Sequence, residues 1–353
     1  MTRPPEQEIL ARPFGAASRA DLLEVFFRGR SVAPGAAWLE VYRLLLWIDR
    51  TTGLAHCYES DKAQPGRAWY ARSLAFHAWA AAELGVGADE LGRHIDWLFR
   101  EATARLARAA VARQAGRARA AAAQREPWEG EGLPEPGDDP ELRQILERVM
   151  DPDPLRRPGE DIVREVMEEV RSYFGNEQRR RNLLGEGFED VLAALLGRLP
   201  GGGPQAVHTR RLLHEIPGFR PPPGTEKPRR VDLGLVQRGG RRALVTAKWS
   251  VRADREEQFG VDFDTYARLE GTGEDFDFAL VTNEFDAARL VSACDRRAPG
   301  RRLFDQVVHV NPQGVLAVYE GASRGAAARL PELVESGRIS SLGDWLSGFE
   351  ARG

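Results

Sequence analysis

Two charged residues interrupt runs that are otherwise apolar. Asp232 lies in Val231–Val236, and Lys248 lies near the end of Ala243–Trp249. A charge so placed in a strand with a buried face is unusual. Gly239-Gly240 between the runs is a hairpin signal, and a hairpin brings Asp232 and Lys248 together near the open ends of the paired strands. Upstream, Glu186 and Glu189 are spaced three apart in the helical stretch 185–192. They share a face, so one can lean over the sheet, although Glu186 also suits the helix start. Converging carboxylates and a lysine are what phosphodiester hydrolysis needs. Oxygen ligands hold one or two Mg²⁺ ions, and a cation sits beside the attacking water or the phosphate. Any one of these residues alone reads as a surface charge; the order of all of them carries the signal.

The elements that must position these residues are legible around them. Helices are expected over 141–150, 160–173 and 186–199, strands over 231–236, 243–249 and 278–282, and a helix over 254–269. Helix, strand hairpin, helix and strand in that order predict a mixed α/β core. The first part of the chain reads differently. Helices are expected over 21–28, 36–49, 72–84 and 89–108, with Gly85 ending one and Asp89 capping the next. The stretch 104–125 is rich in Ala and Arg. Glu126–Pro140 is acidic and rich in Pro and Gly, which marks a linker. The expected division is therefore a helical N-terminal domain at 1–125, a linker at 126–140 and the α/β domain at 141–353. The N-terminal domain is read as a DNA-binding or effector module, or a dimerisation module.

The run Lys248-Trp249-Ser250-Val251-Arg252-Ala253-Asp254-Arg255 resembles the K-x-S-x-R-x-D-R stretch of type II restriction endonucleases that recognise CCGG, of the BsaWI-like group within the PD-(D/E)xK nucleases. The resemblance covers roughly residues 160–310. It implies a PD-(D/E)xK core, Mg²⁺ as cofactor, double-stranded DNA as substrate, and cleavage that leaves 5′-phosphates on staggered 5′ ends. It assigns base reading to Arg252, Asp254 and Arg255, and a packing or phosphate contact to Ser250. The chemistry of the side chains agrees, since Arg bonds the O6 and N7 of guanine and Asp accepts from the N4 amine of cytosine. The family pattern places a carboxylate two residues before the lysine, where this chain has Thr246. In several CCGG-reading relatives the glutamate stands fourteen residues after the lysine, which falls here on Asp262. Asp232, Glu189 and Asp262 are thus the expected metal ligands and Lys248 the catalytic cation, with Asp264 and Glu186 as alternatives for the third ligand. A palindromic site implies a homodimer at least. The resemblance also implies a cognate DNA methyltransferase as genetic partner.

Composition sets the outer bounds. The chain has 353 residues, 42% hydrophobic and 29% charged, with a net charge of −3. That argues against a coat-like nucleic-acid binder but not against a local basic cleft. Cys57 and Cys294 have no partner spacing, and the six histidines show no metal spacing. Gly201-Gly202-Gly203 lacks the Lys-Ser/Thr of a phosphate loop. No signal peptide or membrane span is expected, and the reading is of a cytoplasmic protein.

Overall fold

A computed structural model describes residues 9, 12–50, 52–57, 66–126, 179–180, 182–251 and 256–350. Its centre is a six-stranded mixed sheet in the order β1-β2-β3-β4-β7-β8. The strands are β1 (Ala206–Leu212), β2 (Arg230–Val236), β3 (Arg242–Lys248), β4 (Asp277–Thr282), β7 (Gln306–His309) and β8 (Ile339–Ser341). Two short strands, β5 (Arg297–Ala298) and β6 (Arg301–Arg302), pair separately. β1, β2 and β3 form an antiparallel meander, and the pairs from β3 outward to β8 are parallel. The expected α/β class with a mixed sheet is what the chain adopts.

The hairpin forms where Gly239-Gly240 placed it. The turn is one residue longer than a Gly-Gly pair, because Arg238 joins it. Gln237 N–H donates to Arg241 O at 2.8 Å and Gly240 N–H to Gln237 O at 3.0 Å. Both glycines have φ near +85°, which costs a residue without Cβ little.

In chain order the helices are α1 (Ala16–Phe27), α2 (Ala37–Leu45), α3 (Ala68–Leu84), α4 (Leu91–His94), α5 (Trp97–Arg125), α6 (182–196), α7 (Glu256–Leu269), α8 (Ala287–Asp295), α9 (Pro312–Val318), α10 (Gly325–Glu335) and α11 (Leu342–Glu350). α6 buries Phe188, Val191, Leu192, Leu195 and Leu196, an apolar stripe at helical spacing. α7 buries Phe259, Phe263, Tyr266 and Leu269, and Phe263 lies 5.8 Å from Phe278 of β4, ring to ring. Gly85 caps α3 in the left-handed region, as expected. The stretch 89–108 does not form one helix: it divides into α4 and α5, with Asp96 at φ +62° between them. Asp89 does not cap α4, whose N-cap is Glu90 without a side-chain bond.

The described chain groups into two compact units. One comprises Arg19–Glu101 with Leu184–Gly353, and the other Pro4–Ser18 with Ala102–Leu183. The first differs from the division read in the sequence, because α2, α3 and α4 share a body with the sheet. Aromatic packing is the reason. Phe76 of α3 meets Phe285, just after β4, edge to face at 4.6 Å. Tyr42 of α2 donates its hydroxyl to Asn283 Oδ1 at 3.1 Å. In the second unit, Arg105 donates to the Ser18 carbonyl and hydroxyl, both at 3.0 Å. The expected helices at 141–150 and 160–173, and nearly all of the expected linker at 126–140, lie outside the described residues.

Fully buried His309 at the end of β7 provides a test of the core. Its Nδ1 accepts from Asn311 N–H at 3.1 Å, and its Nε2 lies 3.0 Å from Glu284 O. A neutral ring protonated at Nε2 satisfies both. Burial pushes its pKa down from 6.5 to about 4. Between those values the unfolded chain binds more protons than the folded one, so stability falls as pH drops. The loss should reach about 3 kcal/mol near pH 4. Urea unfolding at pH 7 and pH 4 should show that loss in the native chain and a smaller one in His309→Gln. Equal losses in the two would contradict it.

Candidate active site

The site forms where the β2–β3 ladder stops. The last ladder pair on this side is Leu233 with Val245; beyond it Asp232 takes over the hydrogen bonding with its side chain. Asp232 Oδ2 accepts from Ala247 N–H at 2.9 Å, from Lys248 Nζ at 2.6 Å and from the Thr246 hydroxyl at 3.4 Å. A carboxylate is therefore suited to a position that looked anomalous in an apolar strand: it satisfies an amide the ladder leaves open. Both ionic partners stay partly open, with Asp232 21% and Lys248 27% exposed at the side chain. The pair is reachable by a ligand.

Glu189 comes to this point on α6. Its neighbour Phe188 is fully buried and packs edge-on against Trp249, the residue after Lys248, at 5.5 Å. That contact sets the α6 N-terminal turns over the end of β3. Glu189 is buried, and its Oε2 accepts from Arg210 Nη1 at 2.9 Å. Burial, and then the charge of Asp232, push its pKa up to about 7; Arg210 and Lys248 pull the other way. Asp232, Lys248 and Glu189 thus share one electrostatic environment.

Asp262 approaches from α7. It accepts from Gln258 at 2.7 Å and lies 3.7 Å from Arg229. Its pKa is raised by burial, held back by Gln258 and Arg229, and raised again by Asp232. Asp264, two residues on, is exposed. Glu186 is turned to Arg19, at 2.5 Å. Thr246, where the family pattern places a carboxylate, is buried against Asp232. Ser250 is half-buried. Arg252, Asp254 and Arg255 lie outside the described residues. The backbone just before them is fixed: Val251 N–H donates to buried Glu284 at 2.6 Å, and Asn283 N–H donates to Trp249 O at 3.0 Å.

Mg²⁺ is a hard cation, commonly held by one or two carboxylates with waters and substrate phosphate oxygens completing the shell. Asp232 and Glu189 fit that role. They are two carboxylates whose charges repel, one of them buried, and a dication relieves both effects. Among the described residues no group of three His, Cys, Asp or Glu side chains is placed to hold a metal ion. The fit is to a pair with Asp262 in its field, not to a closed cage.

Sequence reading missed Arg210, which holds Glu189, and with it the whole of β1. An alternating pattern in Ala206–Leu212 is obscured by His208, Arg210 and Arg211, so no apolar run announces the strand. His77 is bonded to backbone atoms of Ala55 and Ala88, and both cysteines are buried and unpaired.

No protein-family model and no curated protein matches the chain. A solved structure titled "Restriction endonuclease PspGI-substrate DNA complex" aligns at 13% identity, over 87% of this chain and 99% of that one, with a TM-score of 0.36. A likeness that faint carries no weight on function, which rests on the site's own geometry. No helix among the described residues is long and apolar enough to cross a membrane.

Proposed function

We propose that the chain is a Mg²⁺-dependent type II restriction endonuclease with a PD-(D/E)xK-type core. It hydrolyses double-stranded DNA at a palindromic site containing CCGG and leaves 5′-phosphates on staggered 5′ ends. The observation that carries the reading is the Asp232–Lys248 contact at 2.6 Å, next to buried Glu189 and at the open end of a strand hairpin. Asp232 and Glu189 hold the cation, and Asp262 completes the acidic surround from α7. A Mg²⁺ ion held there would lower the pKa of a water and offset the charge developing on the phosphate. Lys248 is released from Asp232 to orient that water or contact the phosphate. Ser250 contacts the DNA, and Arg252, Asp254 and Arg255 read the C·G pairs in the major groove. Two copies related by a two-fold axis read the two half-sites. A methyltransferase of the same specificity protects host DNA.

A second reading has one specific support. Thr246 is no metal ligand, and a chain that had lost its chemistry would still read DNA. The same site argues less well for a repair nuclease, which needs no Arg-x-Asp-Arg reader.

Binding in Ca²⁺ tests the specificity. A duplex with CCGG should bind at least about a hundredfold tighter than one with the core scrambled. Arg252→Ala and Arg255→Ala should each remove about 1–3 kcal/mol of that discrimination. Equal binding of both duplexes by the unaltered chain would contradict the CCGG assignment.

A further inference from the structure

Arg210 has a backbone conformation that its place in the fold does not explain. β1 and β2 pair regularly on either side of it, Thr209 with Leu233 and Arg211 with Val231. That register sets Arg210 directly opposite Asp232. Yet its φ is +51°, in the left-handed region that residues with a Cβ avoid at a cost of roughly 1–2 kcal/mol. Such strain persists only where the surroundings over-determine it, and it gathers at functional sites.

The side chain shows what over-determines it. Nη1 donates to Glu189 Oε2 at 2.9 Å and to Glu186 O at 3.1 Å, while Nη2 donates to Asp190 Oδ1. Asp190 is itself fixed, because its Oδ2 accepts from Arg19 Nε at 2.5 Å. Buried Arg19 also reaches Glu186 Oε2 at 2.5 Å. One guanidinium therefore grips Glu186, Glu189 and Asp190 within little more than one turn of α6, with a second arginine behind it. It takes one oxygen of Glu189 and leaves the other for a ligand.

We propose that Arg210 is a positioning residue, whose fork, braced by Asp190 and Arg19, orients the Glu189 carboxylate toward Asp232 for divalent-cation binding. The proposal rests on the nuclease reading above. A mere structural ion pair has no need of a strained backbone opposite the catalytic aspartate; a guanidinium delivered to Glu189 from across the strand does. Lysine has the charge but not the fork.

The test uses the full chain and Mn²⁺ as probe, with Arg210→Ala, Arg210→Lys and Arg210→Gly. All three should bind Mn²⁺ at least about tenfold more weakly by calorimetry and cleave DNA with lower kcat at unchanged KM. Arg210→Gly accepts φ +51° without steric cost, so it should unfold no more easily than Arg210→Ala and still show the metal defect. Native-like Mn²⁺ binding in any of the three would overturn the proposal. A double-mutant cycle of Arg210→Ala with Glu189→Gln, read in metal-free urea unfolding, should give a coupling of about tenfold in the unfolding constant. If the unaltered chain neither binds Mn²⁺ nor cuts DNA while that coupling is present, the nuclease reading fails but Arg210 still positions Glu189. Absence of coupling overturns the positioning role itself.

Discussion

Asp232→Ala is expected to lower kcat for DNA cleavage by at least about a thousandfold, or about 4 kcal/mol in the barrier, while the protein stays folded. Two roles end with the carboxylate. One of the two carboxylates proposed to hold the cation is lost, and Lys248 loses the partner that holds its Nζ in place. Stability should fall much less. Lys248 is partly exposed, so its freed charge reaches water. The Ala247 amide loses its acceptor, at a cost of about 1–3 kcal/mol. Asp232→Asn separates the two effects, since it keeps an oxygen for the Ala247 amide but not the charge. It should melt closer to the native chain and cleave as poorly as Asp232→Ala. Steady-state cleavage and thermal unfolding of the two variants decide this; substantial cleavage by Asp232→Asn would mean that the charge is not required.

The largest expected effect on stability is at Phe285. It is fully buried, meets the Phe76 ring at 4.6 Å and lies 5.4 Å from the His309 ring. Its carbonyl accepts from the Tyr319 hydroxyl at 3.0 Å. Phe285→Ala should cost about 3–5 kcal/mol, from lost burial and the cavity left behind. Phe76 belongs to α3 and Phe285 follows β4, so the site of damage joins the helices of 19–101 to the sheet. Calorimetry should show the α3 region and the sheet lost together in one lowered transition, as expected of one cooperative body. A variant in which the helices melt apart while the sheet keeps its native midpoint would favour the two-domain division read from sequence.

That division illustrates where sequence reading stopped. β2, β3 and β4 were legible because each is a short apolar run. Asp232 and Lys248 stood out because they break those runs, and the glycine pair fixed the hairpin between them. The helix bearing Glu189 was legible from its spacing, although helix is already present before 186. Long-range packing was not legible. Nothing local tells Phe76 that its partner is Phe285, some two hundred residues on. An acidic Pro/Gly stretch suggested a boundary, and covalent order was read as spatial order. β1 escaped for another reason. Four of its seven residues are polar, Arg211 is exposed and the rest are half-buried, and Arg210 serves an ionic network on α6, so neither alternation nor hydrophobicity marks it. β7 and β8, with four and three residues, are too short to stand out as apolar runs. Asp262 was reached only through the family resemblance.

The most direct measurement is digestion of a long, fully sequenced duplex DNA with and without Mg²⁺, by the native chain and by Lys248→Ala, with the fragment ends mapped. Discrete fragments are expected from the native chain with Mg²⁺ alone, each ending within a CCGG core, and none from Lys248→Ala. Intact DNA under every condition, together with undiminished sequence-specific binding, would contradict it and leave a protein that reads DNA without cutting it.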